Sequence, residues 1–306
     1  MTVQTVSHQG LTWTHIQGPT SEDLAFLQEH YPFFHPLDLE DVMSNIQVPK
    51  VDEYDTYLFL VMHFPLFDRA RRRLGRAEVD SFLGRDFAIT ITDHDLKPLT
   101  QDFESCLNDD ESRQQFMGRG SNYLLYEVVD SLVDSSFPIL NKESANIENI
   151  EQQIFEADTR RMLREISVVR RNLINYRRIV KPMMGVVLLL EHKEWDFLRG
   201  DLEVYWGDVS DHLARIWERL QDQTEVIEGL ANTIDSLSSH SLSEVMKFLA
   251  IIALTLGSVE AIAGIYGMNL ATLPLADNPL SFPLILATIL GVVGGMLLFF
   301  RRRGWL

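Results

Sequence analysis

Residues 248–268 read FLAIIALTLGSVEAIAGIYGM, an apolar run whose single charge is Glu260. A helix that crosses a bilayer needs about 20 predominantly apolar residues, and this stretch supplies them. A second stretch, NPLSFPLILATILGVVGGMLLFF at 278–300, carries no charge and places Pro279 and Pro283 where the first turn of a helix tolerates proline. The two read as a membrane hairpin. Arg301, Arg302 and Arg303 follow the second span directly, in the tail RRRGWL, and Lys247 precedes the first. Flanking basic residues stay on the cytoplasmic side, so both termini are expected in the cytosol and YGMNL, 266–270, outside.

Upstream, no proline occurs between Pro182 and Pro274. Nothing forbids one helix from about 203 into the first span, approaching roughly 100 Å at about 1.5 Å per residue. Its apolar positions step by threes and fours through Leu213, Ile216, Leu220, Ile227, Leu230, Ile234 and Leu237, with Gln223 interrupting. Such a stripe packs against identical helices or against a neighbouring helical hairpin, and self-association is expected. The same segment is acidic: Asp201, Glu203, Asp208, Asp211, Glu218, Asp222, Glu225, Glu228 and Asp235 face mainly Arg215 and Arg219. The bland account is a solvated face. The sharper one is that carboxylates of parallel copies repel unless divalent cations lie between them.

The net charge of −17 argues against a nucleic-acid partner and suits cations. One cysteine, Cys106, cannot form an internal disulfide, and MTVQTVSHQGLTWTHIQ at the start has no secretory pattern. Residues 1–120 read as a cytosolic α/β domain, with VDEYDTYLFLVMHFPLF and EVDSFLGRDFAITITDHD as strands joined through the basic DRARRRLGRAE. Arg71, Arg72 and Arg73 there are either a solvated tip or a contact for acidic groups. From about 121 to 202 the pattern is helical. An acidic block with Glu143, Glu148, Glu151, Glu156 and Asp158 precedes a basic one running from Arg160 to Lys181. Two antiparallel helices joined near 158 would set these blocks side by side and partly neutralise them. The remaining divisions are the stalk at 203–247, the spans at 248–268 and 281–300, the outer loop at 269–280 and the basic tail at 301–306.

A hairpin can be a mere anchor, but three features point further: the small residues Gly257, Gly264 and Gly267, a compact polar turn, and Glu260 at membrane depth. Small residues allow close helix packing, whereas a carboxyl group in lipid faces a bundle interior or water. On a helix, Leu249, Ala253, Gly257, Glu260, Gly264 and Gly267 form one stripe. Copies assembled with that stripe inward would make a narrow apolar path interrupted by a ring of carboxylates.

SEVMKFLAIIALTLGSVEAIAGIYGMNL, followed by a short loop, a second apolar helix and a basic terminus, resembles the CorA-type magnesium transporter family. The likeness extends through PKVDEYDTYLFLVMHFP and SFLGRDFAITITDHD, and so covers nearly the whole chain. It implies an α+β cytosolic domain, a long stalk helix and a two-helix membrane hairpin, assembled as a homopentameric funnel in the inner membrane. Gly267, Met268 and Asn269 then form the outer entrance, where amide and backbone oxygens hold hydrated magnesium, an ion that gives up its waters reluctantly. The family register makes Leu249 a hydrophobic gate and names Asp208, with Asp68 from a neighbouring subunit, as holders of a regulatory divalent cation that closes the path.

Two kinds of departure from the family accompany the likeness. The loop ATLPLADNPLS carries Asp277 as its only charge where many members have acids, which weakens attraction at the mouth. Gly257 and Glu260 replace a bulkier and a non-acidic residue, widening the path and adding the carboxylate ring. The resulting expectation is a channel for Mg2+, with Co2+ and Ni2+ accompanying, driven by membrane potential and gated by cytosolic cations. Alternatives are a zinc-transporting branch of the same superfamily, proton-coupled through Glu260, and a membrane-tethered sensor or scaffold. No catalytic motif is found, and no organic cofactor is implied. His63, His94 and His192 lack ligand-like pairing, and His94 beside Asp93 and Asp95 reads as a surface turn rather than a metal site.

Overall fold

The computed structural model describes residues 3–44, 47–155, 158–198, 200, 202–268 and 280–305; Asn269, Asp277, Glu156 and Asp201 lie outside them. The chain divides into two units, Met1–Ala231 and Asn232–Leu306.

The first unit begins with strands β1 (Val3–His8) and β2 (Leu11–Gln17). Gln9 and Gly10 between them have φ of 48° and 86°, the left-handed pair of a two-residue hairpin turn matched to strand twist. Helix α1 (Ser21–His30) starts in a reciprocal cap between Thr20 and Asp23, and α2 (Pro36–Val42) uses Pro36 in its first turn. Strands β3 (Lys50–Glu53), β4 (Tyr57–Asp68), β5 (Arg73–Gly84) and β6 (Phe87–Thr92) complete a sheet of order β1-β2-β6-β5-β4-β3. Only the β2–β6 pairing is parallel; the others are antiparallel.

Tyr57 through Phe64 on β4 are all buried, which explains why this strand reads as a continuous apolar run rather than an alternation. Tyr57, Phe59 and Val61 join Leu27, Phe34, Leu39 and Val42 from α1 and α2 in one core cluster. The opposite face of the sheet is covered by helices. The basic segment proves shorter as a loop than its composition implies: β5 already begins at Arg73, and the turn is tight enough to give Arg72 a φ of 49°.

Helices α3 (Lys97–Asn108) and α4 (Asp110–Met117) precede the point where the sequence turns visibly helical. Pro98 in the first turn of one and the Asp109 cap of the other define them. Then come α5 (Ser121–Asp134), α6 (Phe137–Gln153) and α7 (Thr159–His192), with α7 packed on β4 and β5. Among the described residues no ion pair joins the acidic and basic blocks. Glu143 is fully buried, accepting from Asn146 and Asn172 at 3.2 and 3.0 Å, and burial raises its carboxyl above the ordinary range. The basic helix instead pairs outward: Arg170 reaches Glu228 at 3.7 Å, and Glu165 accepts from both terminal guanidinium nitrogens of Arg72 at 3.0 and 2.6 Å.

Helix α8 runs from Glu203 to Tyr266 and contributes to both units. Leu213, Ile216, Leu220 and Ile227 are buried within this single chain, where Arg219 and Gln223 reach Ser144 of α6 at 3.3 and 2.5 Å. That part of the stripe therefore serves the chain's own helices. Farther along, Leu237, Leu242, Val245 and Met246 stay exposed. The second unit ends with α9 (Ser281–Arg302). Both α9 and the distal part of α8 are long and apolar enough to cross a membrane.

Candidate functional site

On α8 beyond Phe248, Ile251 is buried and Ala250, Thr255, Ser258, Val259 and Ile262 are partly buried, all but Ala250 on one side of the helix. On α9 the buried and partly buried positions are Ile285, Ile289, Val293, Gly294, Met296 and Phe300. Both sets step by three and four residues, as two packed helices require, and the Ser258 hydroxyl meets the Met296 sulfur at 3.2 Å. This is the hairpin seam.

Leu249, Ala253, Gly257, Glu260 and Gly264 are all exposed. At 3.6 residues per turn their stripe is centred about 180° around the helix from the seam. A Cβ placed on Gly257 or Gly264 would have nothing within 4 Å, so neither glycine is there to admit α9. Gly267 differs. Its amide donates to the Ala263 carbonyl at 2.9 Å, ending the helix, and an added Cβ would lie 3.1 Å from that same oxygen. Met268 is exposed beside it.

The basic tail is part of a helix terminus. Gly304 has φ of 69°, Trp305 N donates to Phe300 O at 3.0 Å and Gly304 N to Arg301 O at 3.1 Å. This is the hydrogen-bond pattern of a glycine-terminated helix, and Trp305 stacks on Phe300 across it, 5.7 Å between centroids. Arg303 sits 5.7 Å over the Phe299 ring, while Arg301 and Arg302 are exposed.

In the first unit, α5 and α8 bring Asp130, Asp134, Asp208 and His212 together. Nδ1 of His212 lies 3.0 Å from Asp134 and 3.7 Å from Asp130, and its Nε2 lies 3.8 Å from Asp208. Ligand atoms of Asp130, Asp134 and His212 all fall within 4.8 Å of one another. Asp130 Oδ1 is buried without a hydrogen-bond partner, and His212 Nδ1, though 3.0 Å from Asp134, makes no aligned hydrogen bond; a cation would satisfy both. Burial first, then the charges of Asp134 and Asp208, push Asp130 up to about 6, with His212 opposing. Beside the cluster, Tyr126, Glu191, Gly207, Asp208 and Asp211 line an open recess of about 590 Å³. Carboxylate oxygens suit magnesium, which keeps several waters, while the imidazole adds affinity for cobalt or nickel.

Asp68 is placed differently from Asp208. Its Oδ1 accepts from the amides of Ala70 and Arg71 at 2.9 and 3.0 Å, and its Oδ2 lies 3.7 Å from the Arg71 guanidinium. The structure thus engages Asp68 in its own turn. His63 pairs with Glu78 at 2.9 Å and His94 with Asp93, and neither belongs to a metal-like cluster among the described residues.

Residues 8–302 match the family described as CorA-like Mg2+ transporter protein. The chain belongs to this family. This CorA-like chain is 28% identical over 305 residues to the cobalt/magnesium transport protein CorA of Thermotoga maritima, covering 96% of this chain and 83% of that one. With the protein of the same description from Methanocaldococcus jannaschii it shares 22% over 296 residues, 97% and 92% of the two chains. The complete structure of the CorA magnesium transporter from that archaeon superposes with a TM-score of 0.84 at 22% identity, over 98% of this chain and 94% of that one. The fold is therefore the CorA fold.

Asp130, Asp134 and His212 were not singled out from sequence, although a signal exists. Asp130 and Asp134 are four apart, as are Asp208 and His212, so each pair shares one helix face.

Proposed function

We propose that this chain forms a membrane channel for hydrated divalent cations, magnesium foremost with cobalt and nickel accompanying, in which several copies, five by family likeness, place α8 around a central path. One observation carries the reading: Leu249, Ala253, Gly257, Glu260 and Gly264 occupy the α8 face turned away from the α9 seam and are exposed among the described residues. An exposed carboxyl group on an apolar helix is costly in lipid and affordable beside water. Gly267, Met268 and Asn269 stand at the outer end of that path, and Leu249 narrows its inner end. Asp208, with Asp130, Asp134 and His212, holds a regulatory cation on the cytosolic side, so that a filled site favours the closed state. Both termini are cytosolic, with the basic cap at Arg301–Arg303 at the inner membrane surface.

Thiol labelling tests the path. Cys106 is buried, and burial pushes its thiol up to about 12, so it is inert toward thiolate-directed reagents. A charged methanethiosulfonate reagent should therefore block divalent flux through a Gly257→Cys protein and leave a Leu290→Cys protein, altered on the exposed side of α9, conducting. Equal sensitivity of both would refute the assignment of faces.

A further inference from the structure

The β4–β5 hairpin and α7 enclose a recess of about 720 Å³ far in character from the acidic cluster. Leu66, Phe67, Leu74 and Ile179 supply apolar wall, and Arg71, Arg73, Arg76 and Arg178 surround it. Asp68 is the one carboxylate in the lining, and it is taken by its own turn and by Arg71. The guanidinium groups of Arg73 and Arg178 make no ion pair or hydrogen bond among the described residues. In a chain of net charge −17, four guanidinium groups gathered at one recess, two of them without a protein partner, are an exception to the general charge balance.

The recess is also held rigidly without help from any ligand. Asn172 accepts from Leu74 N at 3.1 Å and Asn175 donates to Leu74 O at 3.0 Å, so α7 clamps both backbone groups of the residue between Arg73 and Gly75. The fork from Arg72 to Glu165 ties the hairpin tip to the same helix. A site whose walls are fixed in advance loses little entropy when it binds. Arginine's planar fork matches phosphate oxygens two at a time, and the volume lies within the range of small-molecule pockets. The apolar wall asks for more than an inorganic ion.

We propose that this recess binds an organic phosphate of nucleotide size, its phosphates on Arg73 and Arg178 and its apolar body against Phe67 and Ile179. The test is calorimetric titration of the purified full chain in detergent, with EDTA present to remove divalent cations, using ATP as one probe and pyrophosphate as the other. ATP should bind. Arg73→Ala/Arg178→Ala should weaken it at least about tenfold, the loss expected for two charge-assisted contacts. Arg178→Ala alone, which removes no ion pair or side-chain hydrogen bond among the described residues, should weaken it about fivefold. Arg164→Ala, on α7 but outside the recess, should bind ATP as the unaltered chain does, and pyrophosphate should bind about tenfold more weakly than ATP. No ATP binding at about 5 mM, equal binding by the Arg178→Ala protein, or pyrophosphate as tight as ATP would each overturn the proposal.

Discussion

Ser258 of α8 meets Met296 of α9 at 3.2 Å, whereas Glu260, two residues on, is exposed on the other side of the same helix. One face of α8 is thus spent on the hairpin, and the other is left with an acid and two glycines. This division is what the proposed pore-lining role of α8 rests on.

Enlarging the free face should stop transport without harming the hairpin. Gly257→Leu has open space at its Cβ and exchanges glycine for a better helix former, a gain of about 1 kcal/mol in helix propensity. Divalent uptake by reconstituted vesicles should nevertheless fall at least about tenfold. Uptake within about twofold of the unaltered chain would mean the face lies elsewhere.

Cation binding at Asp130, Asp134 and His212, as proposed, requires stabilisation by magnesium. A ligand bound only by the folded state adds about 2.7 kcal/mol at a hundred times its Kd. Thermal unfolding of the full chain in detergent should therefore shift upward with magnesium, and Asp134→Asn/His212→Gln should remove most of that shift. An undiminished shift in the double variant would place the stabilising ion elsewhere.

Much of this was legible in the chain, for reasons that differ by region. The two spans stand out because composition alone marks them, and the length of α8 follows from the lack of proline. The strands around Leu58–Phe64 declare themselves by β-branched and aromatic runs. What sequence hid depends on tertiary partners. Leu213–Ile227 read as a stripe for identical helices or for the helical hairpin, and only the structure decides between them: α6 and α7 of the same chain supply the partner. Glu143 read as one member of an acidic block set beside a basic one, yet it is buried on Asn172. The carboxylates and imidazole of the cluster come from helices remote in sequence, so only their i,i+4 spacing was visible. Asn269 lies outside the described residues, and its role rests on family likeness and chemistry.

Acid should weaken the first unit through His15. Its ring is buried, bonded to Thr90 at 3.0 Å, and desolvation lowers it from 6.5 to about 4. Between those values the unfolded chain binds the proton and the folded chain does not, so stability is lost as pH falls from about 6.5 and the loss is complete near 4. The shift corresponds to roughly 3 kcal/mol. Unfolding followed by tryptophan fluorescence should show this slope, and His15→Gln should flatten it; an equal slope in the variant would assign the acid sensitivity to other groups.

Asp80 predicts the opposite sign. It is buried with one oxygen unbonded, and burial, then the charge of Glu78, raise its carboxyl well above the ordinary range. The folded state holds that proton more tightly, so stability is lost as pH rises above the usual carboxylate range toward the folded value. Asp80→Asn should melt at a higher temperature than the unaltered chain at pH 7.5 and show no advantage at pH 4. A variant less stable at both would show that the carboxyl makes a contact the amide cannot replace.

The most direct test of the account is entry of magnesium into liposomes carrying the purified full chain, driven by an inside-negative potential, beside an Asn269→Ala protein and with zinc at several external pH values. Magnesium entry should follow voltage, be indifferent to the pH gradient and be lost in the Asn269→Ala protein. Entry of zinc but not magnesium, rising with external acidity, or no flux of either ion, would contradict it.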